Sequence, residues 1–253
     1  MKTIAVVSGK GGSGKTFVAI NVACGLVMQQ KKCLLIDCSF GVRNIDVALG
    51  RTTQTLCNIK DLINESALSD DVIIKGDETY MPDFIAASPG RIPDDFSEKF
   101  HAVMPDIFNE YDYVVIDTPS STGVEFDTVT SVADIVIAVS TENYFSRLNT
   151  GLCLGGIDDS KKKYLIINRC TSLKNANNDY VAEDLADECG ASIIGIIRED
   201  EYAQISLMNA DPIVRYDSYS GNEFERICQR IIGEFVAPDK KIRLFERNKY
   251  TLK

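Results

Sequence analysis

One stretch constrains this chain more than any other: Ser8-Gly9-Lys10-Gly11-Gly12-Ser13-Gly14-Lys15-Thr16. A short apolar run at residues 3–7 precedes it, and an apolar-periodic segment at residues 17–28 follows. Strand, tight turn, helix is the context that a phosphate-cradling loop requires. Gly9, Gly14, Lys15 and Thr16 complete the pattern Gly-x-x-x-x-Gly-Lys-Thr. Gly11, Gly12 and Gly14 let the loop N–H groups, that of Ser13 included, turn toward phosphate oxygens with no Cβ in the way. Lys15 is placed for the outer phosphates and the Thr16 hydroxyl for Mg²⁺. The helix opening at Lys15 adds its positive end, and Phe17 completes the nucleotide-binding set at its first turn.

The same residues spell Gly9-x-Gly11-x-x-Gly14, a dinucleotide fingerprint, with Asp37 near the spacing of its ribose-binding acid. An NAD-binding oxidoreductase is therefore a rival reading. It leaves Lys15 and Thr16 without work, and it does not account for Asp117, which ends the apolar strand Tyr113-Val114-Val115-Ile116. An aspartate in that place, with a phosphate loop already present, is suited to hold Mg²⁺ through water. The alternative for Asp117 is a turn or cap residue.

Apolar runs rich in Val and Ile recur at residues 33–36, 84–87, 113–116, 135–139, 164–167 and 193–197. They predict buried strands of a parallel sheet. Helices are expected between them at 17–29, 95–109, 122–131, 146–157, 180–189, 201–209 and 221–235. The alternation defines an α/β chain with a single, doubly wound, mainly parallel sheet, helices on both faces, and ligands at the carboxyl ends of the strands. At 253 residues and 45% hydrophobic, the chain suits one such domain. Eight scattered cysteines include no Cys-x-x-Cys pair, so neither zinc nor an iron–sulfur cluster is suggested. A net charge of −10 argues against a broad nucleic-acid face. No apolar run is long enough to span a bilayer, and the opening residues lack the pattern of a secretory leader, so a cytoplasmic location is expected.

The second lysine of the loop narrows the family. Lys10-Gly11-Gly12-x-Gly14-Lys15-Thr16 resembles the deviant Walker A motif of the MinD/ParA ATPases. Gly41-x-Arg43-Asn44-x-Asp46-x-x-x-Gly50, following Asp37, is similar to the switch I segment of the MinD branch. The resemblance implies ATP and Mg²⁺ as ligands. It further implies an ATP-dependent homodimer in which Lys10 reaches the partner's phosphates, with Lys10, Lys15 and Asp37 as the catalytic set. Asn168 and Arg169, ending a later strand, match a pair that addresses adenine. Spatial organisation in a bacterial cell, at the division site or in flagellar placement, through a regulatory protein partner, is the function implied.

Three departures stand out. Ser39 occupies the place of the family's second switch I aspartate, which positions water; a hydroxyl is a poorer proton acceptor, so slow or absent hydrolysis is expected. The segment Ser120-Ser121-Thr122-Gly123-Val124-Glu125 is longer and more polar than the family's switch II, and Arg198 replaces a proline beside the base. The basic tail at 238–253, set apart from the ATPase domain at 1–237, carries Ile242, Phe245 and Leu252 on one helical side. It is a candidate contact with an anionic membrane, which would make the protein peripheral on the inner face of the cell membrane. A hydrolysis-impaired ATP-binding scaffold and a ParA-type DNA partition ATPase are the remaining alternatives. His101 is expected in a surface helix, away from every motif.

Overall fold

The computed structural model describes residues 1–41, 43–119, 122–171 and 186–236. Seven strands form one parallel sheet: β1 (Lys2–Val7), β2 (Cys33–Asp37), β3 (Asp83–Ile85), β4 (Tyr113–Asp117), β5 (Ile135–Ser140), β6 (Lys162–Cys170) and β7 (Ser192–Arg198). Their order is β3-β2-β4-β1-β5-β6-β7. The chain therefore enters at the middle of the sheet, builds one half, returns to β4 and builds the other. The strand order reverses at β1, where an open α/β sheet leaves a crevice at its carboxyl edge.

Alternating side chains feed two cores. Ala5, Val7, Leu34, Ile36, Val114, Ile116, Val136 and Ala138 join one. Ile4, Val6, Leu35, Val115, Ile135, Ile137 and Val139 join the other. The first is closed by α5 (Phe96–Phe108), α6 (Val124–Val132) and α7 (Tyr144–Gly155), through residues such as Phe100, Met104, Val129 and Leu154. The second is closed by α1 (Lys15–Met28) and α9 (Tyr219–Ile232). Each fully buried phenylalanine, Phe96, Phe100 and Phe224 among them, contributes about 1.5–3 kcal/mol relative to exposure. α1 is buried without a break from Val18 to Val27, because it lies between the sheet and α9. A Cβ at Gly25 would come within 2.5 Å of Cys228 Sγ, so these two helices pack at glycine distance.

All seven expected strands form. The helix expected at 221–235 begins earlier, at Tyr219, because Ser218 caps it by accepting from Gly221 N. It ends at Ile232, where Gly233 turns left-handed (φ 98°) and Glu234 N donates to Gln229 O. α7 likewise starts two residues early, with Asn143 Oδ1 accepting from Phe145 N. Three short helices were not expected: α2 (Ile45–Ala48), α3 (Ile59–Ile63) and α4 (Ser69–Val72). α8 (Glu201–Met208) matches expectation within a residue. Of the helix expected at 180–189, residues 186–189 are helical and the rest lie outside the described residues, as do Ser120, Ser121 and the whole tail with Ile242, Phe245 and Leu252.

A buried ion pair fastens α9 to the last strand. Arg230 donates to Glu223 Oε1 at 2.9 Å and to Ile194 O at 2.7 Å. Leu165 pairs with Ile193 and Ile166 with Gly195, so Ile194 is the extra residue of a bulge, and the guanidinium takes its carbonyl. No helix among the described residues is long and apolar enough to cross a membrane.

Candidate nucleotide site

The loop between β1 and α1 is held in shape from two sides. Gly9 lies against the backbone of α7: a Cβ there would sit 2.1 Å from the carbonyl carbon and oxygen of Asn149. Gly14, left-handed at φ 93°, lies against β6: a Cβ there would fall 2.2 Å from Asn168 Nδ2. That same Nδ2 donates to Ser13 O at 2.8 Å. Ser8 Oγ donates to Lys10 O at 3.0 Å and closes the first turn. Glycine is needed at 9 for close approach and at 14 for both approach and φ. The first turn of α1 then presents its unbonded N–H groups, and the positive end of its dipole, at the mouth of the loop.

Two carboxylates stand side by side below that mouth. Asp37 and Asp117 end neighbouring strands in register, and both are fully buried. Asp37 is tied down by backbone: Oδ1 accepts from Ser39 N at 2.9 Å, and Oδ2 from Asn44 N and Ile45 N at 3.3 Å each. It bridges both ends of the 39–44 loop. Asp117 Oδ2 accepts from the Thr16 hydroxyl at 2.6 Å, while Oδ1 is buried with no hydrogen-bond partner. Burial pushes both carboxyls above their ordinary range, and for Asp117 the neighbouring Asp37 charge adds to it; the Thr16 hydroxyl and Lys15 pull Asp117 back. A buried, half-satisfied carboxylate beside a lysine and a helix N-terminus is costly unless a cation comes to it. Among the described residues no cluster of three or more His, Cys, Asp or Glu side chains could cage a metal. The fit is thus to an ion that takes one carboxylate, one hydroxyl and oxygens from elsewhere, as Mg²⁺ does.

Over this floor lies a cavity of about 540 Å³, lined by Gly11, Gly12, Gly14, Lys15, Thr16 and Phe17 from the loop side and by Ser39, Phe40, Asn44 and Pro119 from the other. A second cavity of about 290 Å³ adjoins it, sharing Gly12, Gly14, Phe17 and Leu207 and extending to Asn168, Arg169 and residues 197–200. The first is walled by the glycine loop with Lys15 and Thr16 on one side and by Ser39, Phe40 and Asn44 on the other; the second has apolar walls from Phe17, Ile197, Ala203 and Leu207. Together they have the outline of a phosphate chain followed by a planar base.

Every candidate of the loop and the two strand ends converges here, with qualifications. Lys10 is exposed and lines neither cavity. Ser13 is buried, and its hydroxyl has no partner. Ser39 donates from Oγ to Thr118 O at 3.4 Å. Arg169 adopts a left-handed φ of 55° and pairs with Glu199 at 3.0 Å. Arg198 stacks on the Tyr219 ring, 4.2 Å from its centroid. His101 is exposed on the outer side of α5 and hydrogen-bonded to Ser131. Phe40, Leu207 and Gln204 were missed: Phe40 sits inside the switch I segment at a position its motif leaves open, and Leu207 and Gln204 line the cavities from a helix whose sequence carries no motif.

A doubly wound parallel sheet with this glycine loop at the end of its central strand defines a P-loop nucleoside triphosphatase fold. A family model described as "AAA domain" matches residues 1–164. The septum site-determining protein MinD of Helicobacter pylori is 29% identical over 244 residues, spanning 92% of this chain and 91% of that protein. The solved MinC:MinD cell division protein complex of Aquifex aeolicus superposes with a TM-score of 0.84 at 25% identity, covering 95% of this chain and 99% of that one. A plasmid partition protein of Borrelia burgdorferi bound to AMPPNP superposes with a TM-score of 0.73 at 22% identity, a likeness of fold. The chain belongs to the MinD/ParA family of P-loop ATPases and is MinD-like within it.

Proposed function

We propose that the protein is an ATP-binding, Mg²⁺-using switch that pairs with a second copy of itself around the nucleotide and takes part in placing the division site. The observation that carries this reading is the Thr16–Asp117 bond of 2.6 Å, with its orphaned carboxylate oxygen, under a glycine loop that opens on a two-part cavity. In this reading Lys15 and the loop N–H groups bind the outer phosphates, while Thr16 and Asp117 hold the ion. Mg²⁺, when bound, supplies neutralisation of phosphate charge. Asp37 is a positioning residue: it fixes the 39–44 loop so that the loop's shape can depend on what occupies the cavity. Lys10, exposed and outside the lining of its own cavity, is the loop lysine available to the nucleotide of a second copy.

A protein partner fits the relatives' printed roles, and α7 turns Tyr144, Phe145, Leu148 and Leu152 to solvent as an apolar stripe that such a contact would cover. The net charge of −10 weighs against the DNA-partition alternative. The tail at 238–253 remains a candidate membrane contact.

The test is ATP binding and steady-state turnover, with and without Mg²⁺ and with and without anionic vesicles. Mg²⁺-dependent ATP binding, lost in Lys15→Ala, is expected; no binding in the parent protein sinks the reading. Basal turnover is expected to be slow, because Ser39 spends its N–H on Asp37 and its hydroxyl on Thr118 O and offers no carboxylate to water. Ser39→Asp should raise turnover by about ten- to a hundred-fold, at or below the low end of what a positioned base supplies. An unchanged rate in that variant would mean that the rate is set elsewhere.

A further inference from the structure

A separate cavity of about 430 Å³ lies at the opposite end of the sheet, between the amino ends of β1 and β4 and the carboxyl ends of α1 and α9. Lys2, Lys31, Asp112, Tyr113, Ile232 and Glu234 line it. α1 has 14 residues, so about 20 Å of helix separate this cavity from the phosphate loop. Its volume is in the range that takes a small ligand. Its polar groups are out of balance. Tyr113 is 7% exposed and belongs to the core under α1, yet its hydroxyl makes no hydrogen bond with the described residues. Burial and the neighbouring Asp112 charge push this phenol above its ordinary range, so it stays a donor. The ammonium groups of Lys2 and of partly buried Lys31 have neither a hydrogen bond nor an ion pair among the described residues. Of the two carboxylates, Asp112 accepts from Lys32 N at 2.9 Å, and Glu234 accepts from no described residue.

We propose that this cavity is a second ligand site, independent of the ATP reading, which binds a small phosphomonoester that also carries hydroxyl groups, as a sugar phosphate does. The phosphate accepts from Lys2, Lys31 and the Tyr113 hydroxyl, which together supply charge and one directed bond. Glu234 repels the phosphate and accepts from a hydroxyl, so it fixes which end of the ligand lies where. Ile232 and the Tyr113 ring cover the carbon skeleton. A bare phosphate is poorly served here, because two carboxylates stand in the same wall. A neutral sugar leaves both lysines unused. Lys31 and Glu234 make no side-chain bond with the described residues, so changing either leaves the fold intact.

The experiment is titration of the full chain with ribose 5-phosphate, inorganic phosphate and ribose, for the parent, Lys15→Ala, Lys31→Ala, Tyr113→Phe and Glu234→Ala. Ribose 5-phosphate is expected to bind the parent in the millimolar range and to bind Lys15→Ala equally well, since the phosphate loop is a different site. Lys31→Ala should weaken it by about ten- to a hundred-fold, the share of a charge-assisted bond. Tyr113→Phe keeps the ring and should weaken it by about three- to ten-fold, the share of a neutral bond. Glu234→Ala should bring ribose 5-phosphate and inorganic phosphate to the same affinity, because the carboxylate favours the first and repels the second. Binding lost in Lys15→Ala, or unchanged in both Lys31→Ala and Tyr113→Phe, overturns the assignment. A parent that binds none of the three probes overturns it too. Inorganic phosphate that binds the parent as tightly as ribose 5-phosphate overturns the hydroxyl half of it.

Discussion

Gly9→Ala is expected to abolish useful nucleotide binding although it adds a single methyl group at a position that touches no ligand. The new Cβ would lie 2.1 Å from the carbonyl carbon and oxygen of Asn149 and 2.4 Å from Thr150 N, all backbone atoms inside α7. A side chain in that place could rotate away; a hydrogen-bonded helix backbone cannot. The strain therefore goes into the loop, which must lift from α7 and carry Lys15 and the helix start with it. Overpacking of this kind costs about 1–3 kcal/mol, and a backbone neighbour puts this case at the upper end. Calorimetric titration should show ATP affinity lower by about a hundred-fold, the equivalent of roughly 3 kcal/mol. If α7 yields instead, the melting temperature should drop by about 6–12 °C at the same energy. Gly11→Ala is the control for stability, since a Cβ there meets nothing within 4 Å. A Gly9→Ala protein with parental affinity and melting temperature would show that the loop does not rest on α7 as described.

Arg230→Leu should be among the most destabilising substitutions in the chain. Glu223 is 1% exposed and Arg230 5%, and removing the arginine strands a carboxylate in the interior as well as the Ile194 carbonyl. Breaking one side of a buried pair costs about 3–5 kcal/mol, mostly from the charge left behind. Arg226, 3.3 Å from the other carboxylate oxygen, keeps a little of this in hand. Glu223→Gln combined with Arg230→Leu should recover most of the loss, and urea unfolding of the two single variants and the double gives the coupling directly. The pH dependence has a definite sign. Burial pushes Glu223 above its ordinary value, and Arg230 and Arg226 pull it back. Without Arg230 the folded carboxyl rises further above its unfolded value. An acid raised in this way favours the fold while protonated and loses that contribution as pH rises through its folded pKa. The Arg230→Leu deficit should accordingly shrink as the pH is lowered from neutral toward the ordinary glutamate range; a deficit that grows on acidification would contradict the assignment.

The sheet was legible in the sequence because parallel strands covered on both faces read as short unbroken apolar runs, Val- and Ile-rich in β1, β4 and β5 and carried by Leu or Phe in β2 and β3. The phosphate loop was legible because its glycines, lysine and threonine are each needed for a separate physical reason. The short helices α2, α3 and α4 were not, since four or five residues do not complete enough turns for a periodicity; only the Asn58-x-x-Asp61 capping box of α3 left a trace. The double employment of Asn168 was also hidden. A motif names the amide, but only the position of Ser13 O, 155 residues earlier in the chain, shows that one of its N–H groups also braces the phosphate loop.

The bulge at Ile194 bears on how molecules of this protein behave toward one another. β7 is the outermost strand on its side of the sheet, and an outer strand exposes a ladder to which any passing chain can add. Here the ladder is interrupted twice by the protein's own side chains, with Arg230 on the Ile194 carbonyl and Ser220 Oγ on that of Arg198 at 3.3 Å. The bulge itself tilts the strand out of the flat geometry that edge-to-edge growth requires. Wherever copies of a chain accumulate, a bare edge becomes a nucleus for aggregates. The same guanidinium that holds α9 thus also works against copies joining edge to edge through their sheets.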